Sequence, residues 1–196
     1  MADMYPKEVK LKDGTLMHLK LLESSDLDSL ITFFRKLSLE DRMYLRNDVL
    51  NPDYVKRRFG EINYDLRYPV IAWSNTEIAG IGTLFRAEFG WERNLGEIRC
   101  VIGKPFQRRG LCTILVRELF LRALKTDLYK IEAEVVEDQI SAIAAFERIG
   151  FKREAVLEKH VTDINGKRRN LVLMSLDIEE LWSIMEDFIP DAIYVT

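Results

Sequence analysis

The sequence predicts an α+β (mixed α/β) chain, built as a twisted mixed sheet of about six to seven strands with helices on both faces. Three observations predict it. Turn signals at Asn75-Thr76-Glu77 and Asn165-Gly166 mark antiparallel hairpins on either side of the chain's middle. Between them lies a strand-helix-strand-helix unit. The 196 residues are 47% hydrophobic and 31% charged, with 5 Pro and 10 Gly, so a large core can form and low complexity is excluded.

Each element has a local reason. After the Asp13-Gly14 turn, Thr15–Leu22 alternates as a strand. Ser24-Ser25-Asp26 supplies an N-cap for a helix that places Leu27, Leu30, Ile31 and Phe34 on one face. Leu39–Arg46 is a second helical stretch. A third starts at Asn51-Pro52, with the asparagine as cap and the proline at the first helical position.

Tyr68–Ser74 is apolar and β-rich. Glu77–Arg86 contains Gly80 and Gly82, a sign of a twisted or bulged strand. Asn94–Gly103 is a strand and Arg108–Lys125 a long helix. That helix has Leu111, Leu115 and Leu119 in one ladder and Glu118, Arg122 and Lys125 on its expected wet side. Lys130–Val136 alternates, and Gln139–Ile149 is a helix stopped by Gly150. Phe151–Thr162 and Arg168–Leu176 form the second hairpin. Asp177 caps a last helix at about 177–189. With no repeat or linker, residues 1–196 read as a single domain.

A net charge of −3 does not indicate a nucleic-acid partner. Two cysteines are too few for a disulfide framework, and no Cys/His spacing suggests a metal. The N-terminal stretch has no apolar signal-peptide region, and no run approaches the ~20 apolar residues that cross a bilayer. A cytoplasmic location without membrane partner is the expectation.

The segment most informative about chemistry runs from Gly96 to Cys112. A strand enters a tight basic turn, and the turn opens the long helix. A helix N-terminus leaves about four N–H groups unpaired and carries roughly half a positive charge. An anion is its natural partner. Gly110 removes a side chain where backbone must approach the ligand, while Arg108 and Arg109 add charge. These are the properties of a pyrophosphate site. A solvated helix start with a packing glycine satisfies the same spacing.

Gln107-Arg108-Arg109-Gly110-Leu111-Cys112 also resembles the acyl-CoA signature Gln/Arg-x-x-Gly-x-Gly/Ala of the GNAT (general-control-related N-acetyltransferase) superfamily, with Cys112 in place of the last small residue. Downstream, Gln139, Ala142, Phe146, Glu147, Gly150 and Phe151 resemble its Asn-x-x-Ala-x-x-x-Tyr-Glu-x-x-Gly-Phe stretch, with Gln139 for Asn and Phe146 for Tyr. The resemblance spans about Thr15 to Leu176. It implies acetyl-CoA as cosubstrate and a GNAT-type sheet. The backbone of Cys100, Val101 and Ile102 would hold the pantetheine arm. The amides of Arg108, Arg109, Gly110, Leu111 and Cys112 would hold the pyrophosphate, beside Gln107, Gln139 and Phe146. The two strands 94–103 and 130–136 would splay to admit the thioester.

Acetylating an amine with a pKa of about 10.4 requires a base. Glu97, on the strand leading into the basic turn, is the candidate; pairing with Arg99 is its structural alternative. The resemblance places the base glutamate of bacterial protein-lysine acetyltransferases at a similar position, and Leu37–Arg46 resembles a stretch of those enzymes. The acceptor is therefore read as an amine, either a small molecule or a protein lysine. Phe146 has no hydroxyl to protonate the leaving thiolate, which leaves water, Tyr44 or Tyr129. Lys167-Arg168-Arg169 reads as a solvated hairpin tip within reach of a phosphate, and Lys56-Arg57-Arg58 as a wet helix face near the acceptor mouth. Trp182, Ile184, Met185 and Phe188 read as core, with a homodimer contact or a lid as the other reading. The competing functional reading is a GNAT-fold acyl-CoA sensor without turnover. A nucleotide-binding enzyme is disfavoured because Leu111-Cys112 stands where a Lys-Ser/Thr pair would be needed.

Overall fold

The computed structural model describes residues 5–178. Within them lie strands β1 (Lys7–Lys10), β2 (Leu16–Leu21), β3 (Arg67–Ser74), β4 (Glu77–Arg86), β5 (Leu95–Ile102), β6 (Lys130–Val136), β7 (Lys152–Thr162) and β8 (Arg168–Asp177). The helices are α1 (Leu27–Lys36), α2 (Leu39–Arg42), α3 (Pro52–Phe59), α4 (Leu111–Ala123) and α5 (Ile140–Glu147). The strands form one sheet in the order β1-β2-β3-β4-β5-β6-β8-β7. Only β5 and β6 pair in parallel; the other neighbours are antiparallel.

The sheet thus has eight strands rather than the expected six to seven. The added one is β1, whose sequence Lys-Glu-Val-Lys is too polar to signal a strand. It is an edge strand, and charged side chains are common there because they discourage pairing with other chains. β1 also explains a second correction. Glu118, expected on the wet side of α4, is 3% exposed. Its carboxylate accepts from Lys7 Nζ at 2.6 Å and from the Tyr5 hydroxyl at 3.4 Å, so the N-terminal segment covers that face. Arg122 is likewise drawn in, over the Tyr68 ring at 4.9 Å and against Asp65 at 3.2 Å. Helix α2 stops at Arg42, so 43–46 is not helical as expected. The helix expected at about 177–189, with Trp182, Ile184, Met185 and Phe188, lies outside the described residues beyond Ile178.

The caps follow the local chemistry. Asn51 Oδ1 accepts from the N–H groups of Asp53 and Tyr54, and Ser38 Oγ accepts from that of Asp41. Asp26 accepts from the Glu23 N–H at 3.0 Å and pairs with Lys20 at 2.9 Å before α1 begins.

Strand alternation divides the core between the two faces of the sheet. On one face Ile71, Ile78 and Ile81 pack with Leu30, Phe34, Val55 and Phe59 of α1 and α3. On the other, Val70, Ala72, Leu84 and Ile98 pack with Leu111, Leu115 and Leu119 of α4. Gly82 exists for this second contact, and Gly80 for the close approach of β5. A Cβ at Gly82 would lie 3.1 Å from Leu119 Cδ1 and 3.2 Å from Leu115 Cβ, and one at Gly80 would lie 3.0 Å from the Val101 carbonyl oxygen. Gly82 thus lets α4 sit close on β4, which fixes where its N-terminus emerges. Gly82→Val is expected to destabilise the fold by about 1–3 kcal/mol through overpacking, read as a lower urea midpoint at unchanged m-value.

Candidate active site

Two adjoining features form the site: a gap in the sheet and a loop beside it. β5 and β6 pair only at Leu95–Lys130, Gly96–Ile131 and Glu97–Glu132. Beyond that point the strands part. β5 stays bonded to β4 as far as Ile102, and β6 to β8 as far as Val136. The β5 backbone from Ile98 onward is therefore without a ladder partner on its β6 side. This is the splay expected between the two strands, and the stretch includes Cys100, Val101 and Ile102.

The loop follows β5 through a single 3-10 turn at Lys104–Phe106, and its path is held by its own side chains. Gln107 Nε2 donates to the Ile102 carbonyl at 3.1 Å and to Asp41 at 2.9 Å, tying the loop to β5 and α2. Arg108 has φ +60 and Gly110 φ +92, two left-handed residues in one turn. The helical ladder begins only with Ile114 donating to Gly110. None of the N–H groups from Arg108 to Thr113 donates to a backbone acceptor among the described residues. They form a cradle of free donors at the start of α4.

The two arginines of the loop have different fates. Arg109 turns away from the cradle: it pairs with Asp13, donates to Thr15 Oγ1 and to the Pro105 carbonyl, and lies over the Phe106 ring. Its guanidinium is a strut between the loop and the β1–β2 turn, although the sequence suggested it as loose positive charge. Arg108 stays exposed. The cation that sequence reasoning missed is Lys12. Its side chain lies over Gly110, 3.3 Å from where a Cβ would sit, and its N–H donates to the Arg109 carbonyl. Nothing in the sequence links Lys12 to this loop, because only the β1–β2 turn brings it there.

Cys112, the departure from the signature, meets Cys100 on β5. The neighbouring Cys112 thiol, together with burial, raises the Cys100 pKa and keeps it protonated. Leu111 is buried in the core beneath the loop. Gln139 spends its side chain locally, accepting from the Val136 N–H at 3.3 Å. Phe146 is 4% exposed and packs edge-on to Phe151 with ring centroids 5.0 Å apart.

Glu97 stands at the point where β5 and β6 part, on the α1–α3 face. Arg99 holds it with two bonds, of 2.9 and 2.8 Å, and Arg46 reaches it at 3.1 Å. The same Arg46 pairs with Glu134 across the gap. Glu132, directly across from Glu97 in the ladder, is the carboxylate the sequence did not single out. Its nearest cation is Lys130 at 3.6 Å, and burial raises its pKa despite that lysine. Lys130–Val136 reads as ordinary alternation, so only the register reveals the opposition.

Tyr44 reaches the outer end of β6, where its hydroxyl donates to Asp138 at 3.3 Å; burial and that carboxylate keep it protonated. Tyr129 precedes β6 at the closed end of the gap. At the second hairpin, Asp163 accepts from the N–H groups of Asn165 and Lys167 and from Arg169. Burial opposes its charge, but the Lys167 amide, Arg169 and the Asn165 amide together keep the pKa of Asp163 low. Arg169 also pairs with Asp138, so it is a strut and not a loose cation.

The Asp13–Arg109 pin carries a pH dependence. Arg109, with the Thr15 amide, lowers the Asp13 pKa to about 2. The unfolded value is about 3.9, so the pin's contribution is complete above that pH and disappears as pH falls through about 2. Thermal melts of wild type and Asp13→Asn should differ by a constant margin at about pH 5 to 7, and the margin should close on acidification.

The comparisons with known proteins agree with this geometry. Residues 31–151 match the sequence model of the Acetyltransferase (GNAT) family. No curated protein matches the chain. Among solved structures, an acetyltransferase of the GNAT family from Streptococcus pneumoniae is 23% identical, covering 82% of this chain and 99% of that one at a TM-score of 0.73. The GNAT domain of S. lividans PAT is 18% identical, covering 87% and 96%, at 0.74. The protein yncA of Salmonella typhimurium, solved with its cofactor acetyl-CoA, is 15% identical, covering 83% and 94%, at 0.73. Among the described residues no helix is long and apolar enough to cross a membrane, and no group of His, Cys, Asp and Glu is placed to hold a metal ion. With more than half its length matched, the chain belongs to the GNAT acetyltransferase family and is an acetyl-CoA-dependent N-acetyltransferase.

Proposed function

We propose that the chain transfers the acetyl group directly to an amine, a small molecule or a protein lysine, within the gap between β5 and β6, with Glu97 as the base. The observation that carries this reading is the Glu97–Glu132 pair at the apex of the parting strands, beside the cradle of free amides. The cradle, Arg108 and Lys12 would receive the pyrophosphate. The open edge of Cys100, Val101 and Ile102 would bond the pantetheine arm as an added strand. The thioester would then reach the gap from the α4 face and the acceptor from the α1–α3 face. A continuous sheet from β1 to β7 supports treating 1–196 as one acyltransferase domain.

The chemistry balances as follows. A carboxylate at the apex, directly or through water, takes one proton from the acceptor ammonium. The free nitrogen pair attacks the thioester carbonyl, forming C–N and then breaking C–S. The second nitrogen proton ends on the departing sulfur, and the carboxylate's proton passes to solvent. Arg46 already sits as a cation between Glu97 and Glu134. An acceptor ammonium would replace it there and free a Glu97 oxygen. Tyr44, at the open end of the gap, is better placed than Tyr129 to protonate the thiolate.

The alternative, an acyl-CoA sensor, needs the cradle and not the carboxylates. Glu97→Gln is expected to lower kcat for thiol release by about 10²- to 10⁴-fold while leaving coenzyme A affinity unchanged. A larger loss in Glu132→Gln than in Glu97→Gln would move the base to β6, and wild type without turnover on any amine would favour the sensor.

The cradle has its own test. Gly110→Ala puts a Cβ at a φ of +92, which costs roughly 1–2 kcal/mol and crowds Lys12. Calorimetry should show coenzyme A bound at least about tenfold more weakly, the equivalent of about 1.4 kcal/mol.

A further inference from the structure

On the α1–α3 face, next to the apex, lies a cavity of about 440 Å³ lined by Asn47, Tyr54, Arg57, Arg58, Arg67 and Arg99. Four of its six lining residues are arginines and none is acidic. Like charges gathered around one cavity repel, and the arrangement needs an anion to offset that cost.

Three of the four arginines are held in place, while Arg57 is exposed. Arg58 and Arg99 both lie over the Phe85 ring, at 5.0 and 4.7 Å from its centroid. Arg99 is braced on Glu97. Arg67 donates one terminal nitrogen to the Arg58 carbonyl at the end of α3, and its Nε is buried without any hydrogen-bond partner. Burial and the neighbouring Arg58 charge both lower the Arg67 pKa, which reports the same unmet need. Guanidinium forks match carboxylate and phosphate oxygens. Asn47 and Tyr54 add neutral polar groups.

The cavity's position ties it to the reaction. Arg67 pairs in register with Phe85, Phe85 with Glu97, and Glu97 with Glu132. All four point from one face, and neighbouring strands are about 4.8 Å apart, so Arg67 and Glu97 are on the order of 10 Å apart along the row. One end of the row is cationic and the other anionic.

We propose that the acceptor is a small amine carrying an oxyanion, a carboxylate or a phosphate, with that oxyanion seated among Arg57, Arg58, Arg67 and Arg99 and its ammonium at Glu97. The assignment rests on the acetyl-transfer reading above and narrows its acceptor class.

The test has two readouts on protein saturated with coenzyme A, so that the cradle is filled. The first is calorimetric binding of O-phosphoethanolamine, β-alanine and their counterparts without an oxyanion, ethanolamine and propylamine. The second is thiol release from acetyl-CoA with the same four amines and a lysine peptide. At least one oxyanion-bearing amine should bind, and its kcat/KM should exceed that of its counterpart without the oxyanion at least about tenfold. Arg57→Gln should reduce that ratio by about tenfold or more; Arg58→Gln is the second variant. The phosphate and carboxylate arms identify the oxyanion. Failure of both oxyanion-bearing amines to bind, an unchanged ratio in both variants, or turnover of the peptide and the amines without an oxyanion alone would overturn the proposal. Loss of coenzyme A binding in wild type would instead overturn the reading beneath it.

Discussion

The site depends on one constraint: β5 and β6 pair in parallel for three residues and then separate. β4 keeps both β3 and β5, and β8 both β6 and β7, along most of their lengths. The gap leaves backbone donors and acceptors open in the middle of an otherwise satisfied sheet. In a folded protein such groups must find partners, and an extended ligand backbone is one that fits. The separation also sets two carboxylates opposite each other at the apex, where the two faces of the sheet communicate.

The surroundings hold that opening in shape. Gly82 brings α4 close on the sheet, so the helix N-terminus emerges beside the free edge of β5. Gln107 ties the intervening loop to Ile102 and Asp41. Arg109 pins it to the β1–β2 turn through Asp13 and Thr15. With these side chains committed, the loop's amides remain available. The preorganisation is electrostatic as well as geometric, since Lys12 and Arg108 stay beside the cradle.

On the opposite face charge is segregated along a single register row. Arginines cluster at the β3 end and carboxylates at the β5–β6 end, with Arg99 and Arg46 joining the two. Arg46 spans the gap between Glu97 and Glu134, which shows that the acidic end accommodates a cation. Such a bipolar surface matches the charge distribution of the acceptor class proposed above. An aromatic ring, Phe85, holds Arg58 and Arg99 without neutralising them; Arg99 is already paired with Glu97, so Arg58 is the cation this ring keeps for a ligand.

Much was legible in the sequence because it depends on local rules. Asn51-Pro52 had to start a helix and Asn165-Gly166 had to turn, whereas the long helix expected from Arg108 begins only at Leu111, after Gly110 at φ +92. Hydrophobic alternation located β3 to β8 within a residue or so, and the motif from Gln107 to Cys112 located the cradle. β1 was not legible, because an edge strand of mixed charge has no apolar signature. Glu118 was assigned to solvent for the same reason: the strand that covers it was missing.

The sequence by itself determined most of the elements, the family and the basic loop that opens α4, since each rests on residues close together along the chain. The tertiary structure alone decided which side chains act together. Lys12 reaches Gly110, Glu132 faces Glu97, and Arg57 joins Arg67 and Arg99 only because strand order and register bring distant segments to one face. Register is set by pairing across the whole sheet, and no local stretch of sequence contains that information.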